Sequence, residues 1–108
     1  MTTGSNAVPD ARRTFLCKLY PPRPTFMADM TAEEREIMNA HVAYWRAKLA
    51  EGQVVAFGPV ADPSGGWGLG IVKANDEAEL ATFRDGDPTI ASGRGFRYEV
   101  IPMVTVVY

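Results

Sequence analysis

Two side chains in the sequence have the types needed for proton transfer near neutral pH. His41 is the single histidine among 108 residues, and histidine is the side chain whose charge ordinarily changes between about pH 5 and 8. His41 is therefore the leading candidate for a general acid or base. Asp87 could orient or ionise it. Structural interpretations stay open, since a lone histidine is commonly a packed core residue and Asp87 before Pro88 predicts a helix N-cap.

Other polar side chains are weaker candidates. Ser64 offers a hydroxyl group and Tyr44 a phenol, but turn serines and tyrosines at the edge of a helix face are commonly structural. Cys17 lies in a predicted buried strand, which favours a small core residue over a nucleophile. One cysteine and one histidine cannot supply a multi-thiolate or multi-histidine metal site. We therefore predict a site without a metal.

Glycine spacing and charge argue against nucleotides and nucleic acids as partners. The glycines over 65–70 fit neither the dinucleotide nor the Walker pattern, so no cofactor is expected. They instead allow a ligand, a loop or a second chain to approach the backbone. The motif over 94–100 partly resembles the RNA-binding motif of RRM domains, but it falls on the last predicted strand instead of the third. The net charge of −2 also has the wrong sign for nucleic acid.

The ends and the overall length of the chain predict one intracellular domain. The N-terminal residues lack the basic and apolar regions of a secretory signal, and no apolar run is long enough to span a bilayer. The single cysteine excludes an internal disulfide. These features predict a cytoplasmic protein without a membrane partner. We interpret residues 1–12 as a flexible N-terminal arm and residues 13–108 as one domain with a modest core.

Alternating apolar residues and capping signals predict the secondary structure. A helix begins after Thr31, which forms a capping box with Glu34, and it ends at Gly52. Asp76 begins a second, shorter helix, and a helical turn is predicted over 88–92. Strands are predicted over 13–20, 53–60, 67–74 and from Phe96 through Pro102, with the apolar run continuing to Tyr108.

This order, β-α-β-β-α-β, predicts an α+β domain of the ferredoxin-like type, with helices on one face of an antiparallel sheet. Its last strand lies at an edge, which accommodates Pro102. Apolar residues fall on both sheet faces, and on the face away from the helices we place Leu16, Tyr20, Val55, Phe57, Ile101 and Met103. A second copy of the chain is the simplest cover for that face, so we predict a homodimer and leave higher assembly open.

The first helix and the loop before it should position the candidate histidine. Met38, Val42, Trp45 and Leu49 recur at helical spacing and predict the buried stripe of this helix. His41 lies about 60° from the centre of that stripe, and so at its boundary. The proline-rich stretch that begins at residue 21 predicts a loop of roughly ten residues, longer than usual and typical of a lid.

Several short motifs follow one another along residues 13–104. They are His41-Val42-Ala43-Tyr44-Trp45, Gly52, Gly58-Pro59, Ser64-Gly65-Gly66, Asp87-Pro88, and Tyr98-Glu99-Val100 with Pro102. In this combination the sequence resembles the YciI-related family, whose members have the dimeric α/β-barrel version of the ferredoxin-like fold. The resemblance implies a His–Asp pair in a cleft beside the sheet, at His41 and Asp87. The chain departs from the family at Thr89-Ile90, where members often have an aromatic residue.

The resemblance implies a class of activity without naming a substrate. One characterised relative removes chloride from a chlorinated hydroxyhydroquinone, and the wider superfamily includes muconolactone isomerases and small monooxygenases. We therefore expect a dehydrochlorinase-like lyase or an isomerase, in which His41 moves a proton on a small cyclic or aromatic substrate and Asp87 fixes its tautomer. Substrate contacts are expected from Tyr44, Ser64, Trp67 and Phe26. The alternative is a non-catalytic dimeric module that binds a small molecule in the same cleft.

Overall fold

The structure is a computed structural model that describes residues 11–107. Residues 1–10 of the predicted arm, and Tyr108, lie outside the described residues. The elements in chain order are β1 (Arg13–Tyr20), α1 (Phe26–Asp29), α2 (Ala32–Ala50), β2 (Val54–Val60), β3 (Trp67–Ala74), α3 (Glu77–Asp85), α4 (Pro88–Ala91) and β4 (Arg97–Pro102). The sheet is antiparallel, with strand order β2-β3-β1-β4. The predicted α+β fold with ferredoxin-like topology is confirmed.

The capping signals set the helix starts as predicted. The Thr31 side chain accepts a hydrogen bond from the Glu34 backbone N–H at 3.1 Å, and the Glu34 carboxylate accepts one from the Thr31 N–H at 2.9 Å. Asp76 caps α3 through a backbone N–H of its first turn. After α2 ends, Gly52 takes a φ of 84°, a conformation that glycine adopts without strain.

The core lies between the sheet and the helices, and the central strand β1 supplies its floor. Phe15 and Cys17 of β1 and Val72 of β3 are buried against Trp45 of α2 and Phe83 of α3. The Trp45 indole packs edge-on against the Phe83 ring at 5.0 Å between centroids. Such aromatic pairs contribute about 0.5–1.5 kcal/mol beyond the area that they bury.

Strand β3 runs directly beneath the Trp45 ring at Gly70. A Cβ at position 70 would lie 2.2 Å from Cζ3 and 2.3 Å from Cη2 of Trp45, closer than nonbonded carbons approach each other. The strand therefore requires glycine at this position. This requirement is one physical reason for the glycine-rich sequence that fitted no nucleotide-binding pattern.

Strand β4 lies at the edge of the sheet, as the order of the elements predicts, and this position accommodates Pro102. It pairs with β1 as far as Pro102, which lies opposite Phe15. The strand is shorter than the apolar run that continues to Tyr108. Beyond it, the Met103 N–H still donates to the Thr14 carbonyl at 2.9 Å.

The predicted faces of β2 are partly wrong. Val54 pairs with Val72, but Ala56 pairs with Ile71, so β2 carries one extra residue between these pairs. Such a bulge reverses which side chains face the helices from that point onward. Phe57 therefore packs on the Trp45 ring, at 5.5 Å between centroids, and not on the face away from the helices.

The buried side of α2 also differs from the predicted stripe. Trp45 is buried, but Leu49 is 43% exposed, and the polar residues Glu34 and His41 are buried in its place. His41 therefore lies within the packed side of the helix and not at its boundary. Both polar side chains have charged partners on other parts of the chain, and apolar periodicity carries no information about such partners.

The predicted loop before α2 contains the one-turn helix α1, and we call residues 21–30 the lid segment. Phe26 is buried in it and packs edge-on against Phe96 at 5.3 Å. The Arg23 guanidinium donates two hydrogen bonds, each of 2.8 Å, to the Glu34 carboxylate. A single helical turn is too short for the periodicity on which helix prediction depends.

Candidate active site

The two residues of the predicted pair meet where α2, α4 and β4 converge. Asp87 is the N-cap of α4, and its Oδ1 accepts a hydrogen bond from the Thr89 N–H at 2.9 Å. His41 lies in the middle of α2, and its Nδ1 is 2.9 Å from Oδ2 and 3.0 Å from Oδ1 of Asp87. Asp87 thus acts as a helix cap and as the partner of His41 at the same time.

The Asp87 carboxylate is fully buried and accepts hydrogen bonds from four residues. Its Oδ2 accepts from Nε1 of Trp45 at 2.7 Å and from the Tyr98 hydroxyl, in addition to His41. Its Oδ1 accepts from the hydroxyl of Thr89 at 2.8 Å as well as from the Thr89 N–H. If the carboxyl group were protonated, its own hydrogen would face the hydrogen of one of these donors. The donors from Trp45, Tyr98 and Thr89 therefore favour the ionised form.

The titration properties of the site have the same physical origin. Burial raises the pKa of Asp87, but the hydrogen bond and charge of His41, with further hydrogen bonds from Tyr98 and Trp45, outweigh burial and lower this pKa to about 2. Burial and the negative charge of Asp87 raise the pKa of Tyr98. Asp87 is therefore a permanent acceptor at neutral pH, and Tyr98 stays a neutral donor.

The contact with Asp87 fixes the orientation of the His41 ring. Because the carboxylate can only accept, Nδ1 of His41 carries a hydrogen and donates it. Nε2 is then the ring nitrogen left to accept a proton. Within the described residues 11–107, Nε2 has no hydrogen-bond partner, although His41 is only 8% exposed.

His41 lines a cavity of about 160 Å³ between α2, the lid segment and the helix side of the sheet. Among the described residues that line it, none is an aspartate, glutamate, lysine or arginine. Burial, partly offset by Arg84, raises the pKa of the lining Cys17 thiol to about 12, so this thiol stays protonated. Aromatic and thioether side chains contribute to the wall, among them Phe26, Met38, Trp45, Phe57 and Phe96.

The residues predicted to contact the substrate lie in different places. Phe26 lines the cavity. Tyr44 does not, because its hydroxyl donates to the Phe83 carbonyl at 2.8 Å on another side of α2. Ser64 is exposed in the β2–β3 turn and does not line the cavity.

Trp67 borders the cavity, but its indole lies elsewhere. The ring is 6.4 Å from the Tyr20 ring and lies under the Lys18 ammonium group, and both of these residues belong to the sheet face away from the helices. Its Nε1 donates to Asp62 at 3.0 Å. The indole of Trp67 is therefore not part of the wall facing His41.

Sequence reasoning missed three donors to Asp87, which are Trp45, Thr89 and Tyr98. The pattern places Trp45 in the apolar stripe of its helix and Tyr98 in a strand of alternating residues. Both assignments fit the buried ring but leave out its donor, Nε1 of Trp45 and the hydroxyl of Tyr98. Buried tryptophan and tyrosine usually find a hydrogen-bond partner, so each should have suggested an acceptor nearby. That signal does not identify the acceptor, because the donors come from elements far apart in the chain.

The described residues contain neither a cluster that could hold a metal ion nor a helix that could span a membrane. Among residues 11–107, no group of three or more histidine, cysteine, aspartate or glutamate side chains is placed to hold a metal ion. Over the same described residues, every helix is too short or too polar to cross a membrane.

Fold and site together define a ferredoxin-like α+β domain in which a buried aspartate holds one histidine towards an apolar cavity. Residues 14–104 match the family model of the YCII-related domain. The chain therefore belongs to the YCII-related domain family, as the resemblance implies. No match to a curated protein is found.

Proposed function

We propose that the domain is an enzyme of the lyase or isomerase type, in which His41 transfers a proton to and from a small substrate. The observation that carries the proposal is the asymmetry of the His41 ring. Nδ1 is fixed on the ionised Asp87, while Nε2 is without a partner among residues 11–107, in a buried ring that lines an apolar cavity. A base that is oriented and shielded from water is suited to proton abstraction.

The proposed chemistry needs no group beyond those of the chain. Nε2 takes a proton from an acidic C–H or O–H of the substrate, and the electron pair of that bond stays on the substrate. The Asp87 carboxylate stabilises the imidazolium that forms, without taking the proton itself. In a lyase the electron pair forms a double bond while the leaving group departs with its own bonding pair. In an isomerase Nε2 returns the proton to a different atom.

The size and polarity of the cavity support a substrate with one ring. A dry cavity of about 150 Å³ with apolar walls holds a benzene-sized molecule, and the cavity beside His41 has about 160 Å³. Its lining offers no counter-charge for a substrate with several carboxylates. We therefore favour small neutral cyclic or aromatic compounds that carry one acidic hydrogen.

The His41→Gln substitution tests the proposal. Glutamine retains an amide donor for Asp87 but provides no base, so we expect the rate to fall by about 10²- to 10⁴-fold, the usual contribution of general acid–base catalysis. Turnover of small phenols, lactones and enol acids is followed by NMR in D₂O, which also detects exchange at acidic C–H positions. Asn39→Ala, on the exposed side of α2, is the control. Equal rates for His41→Gln and wild type rule out the mechanism.

A non-catalytic binding module is the second candidate. It is favoured by the lack of any aspartate, glutamate, lysine or arginine among the described residues of the cavity wall. In that case the cavity holds a ligand, and Nε2 only accepts a hydrogen bond from it. A compound that raises the unfolding midpoint of wild type, and that neither reacts nor exchanges hydrogen, supports this candidate over the enzyme.

We further propose that a second copy of the chain covers the sheet face away from the helices. Leu16 of β1 lies opposite Ile71 of β3 on one side and Ile101 of β4 on the other, which forms an apolar row across three strands. Ile101 is 41% exposed in the single chain. An antiparallel sheet with one face in water ordinarily has polar residues there.

The Leu16→Glu substitution is expected to convert the dimer into a folded monomer, because it places a charge in the centre of the apolar row. Light scattering coupled to size-exclusion chromatography measures the mass, and circular dichroism checks the fold. Leu49→Glu, which alters an exposed leucine of α2, should leave the mass unchanged. A monomeric wild-type chain at micromolar concentration contradicts the proposal.

A further inference from the structure

The cavity beside His41 meets the solvent between the lid segment and the edge strand β2. Met27 of the lid segment and Pro59 of β2 are its two exposed lining residues, and Met27 is exposed by 50%. The ring of Pro59 restricts its backbone and cannot rotate away. Methionine is unbranched and has three rotatable side-chain bonds. Of the two residues at this opening, which we call the mouth of the cavity, Met27 is therefore the one whose side chain can move.

The backbone that carries Met27 is fastened at the neighbouring residues. Phe26 is only 2% exposed and packs on Phe96. Arg23 holds Glu34 through two parallel hydrogen bonds, and these bonds, with that of the Thr31 N–H, lower the pKa of Glu34 to about 2, so the pair stays charged at neutral pH. Paired charged hydrogen bonds of this kind are among the strongest in proteins. Rotation of one side chain is therefore easier than displacement of the whole lid segment.

The Met27 side chain rests on the backbone of the β2–β3 turn. A Cβ at Gly66 would lie 2.6 Å from Sδ and 2.9 Å from Cε of Met27. Only glycine lets the thioether lie this close to the turn and close that side of the mouth. The glycines were expected to let a ligand, a loop or a second chain approach the backbone. At Gly66 the group that approaches is a loop, the lid segment.

We propose that the Met27 side chain is the gate of the cavity and sets the size of the molecule that reaches His41. The inference rests on the proposed function only in taking the cavity as the substrate site. Met27 makes no hydrogen bond to His41 or Asp87. Its proposed role is therefore in access to the cavity and not in proton transfer. A molecule enters when the side chain rotates away, and a bulkier molecule enters less readily than a smaller one.

Quenching of Trp45 fluorescence tests the gate without a substrate. The chain has two tryptophans, so Trp67→Phe leaves Trp45, which lines the cavity and is 2% exposed, as the single reporter. Two neutral quenchers are compared, acrylamide and the bulkier succinimide. We expect Met27→Ala to raise the quenching constant severalfold for succinimide and less for acrylamide. Met27→Leu, which conserves volume, should resemble the parent.

A control variant and an independent readout separate the gate from other effects. Leu49→Ala removes a similar side chain from an exposed site outside the cavity and should leave quenching unchanged. Quenching of Trp45 does not depend on turnover, so loss of turnover in His41→Gln and failure of the gate are independent results. Equal quenching constants for Met27→Ala and the parent, with both quenchers, overturn the proposal. So does an equal rise for both quenchers, because a gate discriminates by size.

Discussion

The Asp87→Ala substitution is expected to lower the free energy of unfolding by about 3–5 kcal/mol, because several buried donors lose their common acceptor. Its carboxylate accepts hydrogen bonds from His41, Trp45, Tyr98 and Thr89. Without it these donors stay buried and unpaired, and each such group costs about 1–3 kcal/mol unless water reaches it. Urea unfolding followed by circular dichroism measures the loss.

Two companion variants make this prediction specific. Asp85→Ala changes a side chain that is 66% exposed, and we expect it to alter stability by no more than about 0.5 kcal/mol. Asp87→Asn keeps the shape but replaces one acceptor by a donor, so its cost should fall between the two. Similar losses for Asp87→Ala and Asp85→Ala would falsify the account of the buried network.

Acid titration provides a second signature of the same network. The pKa of Asp87 is lowered from 3.8 to about 2 in the folded chain, so the folded state favours the ionised form. The stabilisation is then fully present above the unfolded pKa and is lost as the pH falls through the folded pKa. The difference in stability between wild type and Asp87→Asn should therefore shrink as the pH falls from about 5 towards 2.

The Gly70→Ala substitution is expected to cost about 3 kcal/mol, at the upper end of the usual range for overpacking a core. The new methyl group would lie 2.2 Å from Cζ3 of Trp45. The indole cannot yield easily, because its Nε1 is bonded to Asp87 and its ring is packed on Phe83. Unfolding in urea measures the cost, and the emission of Trp45 should shift as the ring is displaced.

Gly58→Ala is the matched control, since a Cβ there meets no atom within 4 Å. A double variant separates the contact from general effects on the strand. In a Trp45→Phe background the outer indole ring is absent, so Gly70→Ala should cost less than in wild type. Equal costs in the two backgrounds would show that contact with Trp45 is not the cause.

The parts of the fold that depend on local chemistry could be predicted from the sequence. Thr31 with Glu34 and Asp87 with Pro88 set helix starts because capping involves residues a few positions apart. Pro102, which lacks an N–H, supported the edge position of β4 that the order of the elements predicts. These signals are contained in short segments, and no knowledge of distant contacts is needed to interpret them.

The features that depend on distant contacts were predicted less well. The extra residue of β2 turned Phe57 to the helix side, and nothing in its own segment indicates a bulge. The rotation of α2 that buries Glu34 and His41 depends on Arg23 and Asp87, which are 11 and 46 residues away. In the site, the pairing of His41 with Asp87 was expected on the resemblance, whereas the Tyr98 and Trp45 donors required the three-dimensional arrangement.

The two nitrogens of the His41 ring are subject to different evolutionary constraints. Nδ1 faces a carboxylate that also caps α4 and ties α2 to β4, so changes on that side affect folding. Nε2 lies on the other side of the ring, and His41 lines a cavity whose wall includes apolar side chains outside the Asp87 network, such as Met27 and Met38. On the proposed function, such a domain can acquire new substrates by exchanging those wall residues while His41, the proposed base, keeps its orientation. The range of substrates can then change while the Asp87 network, and the stability that it provides, is retained.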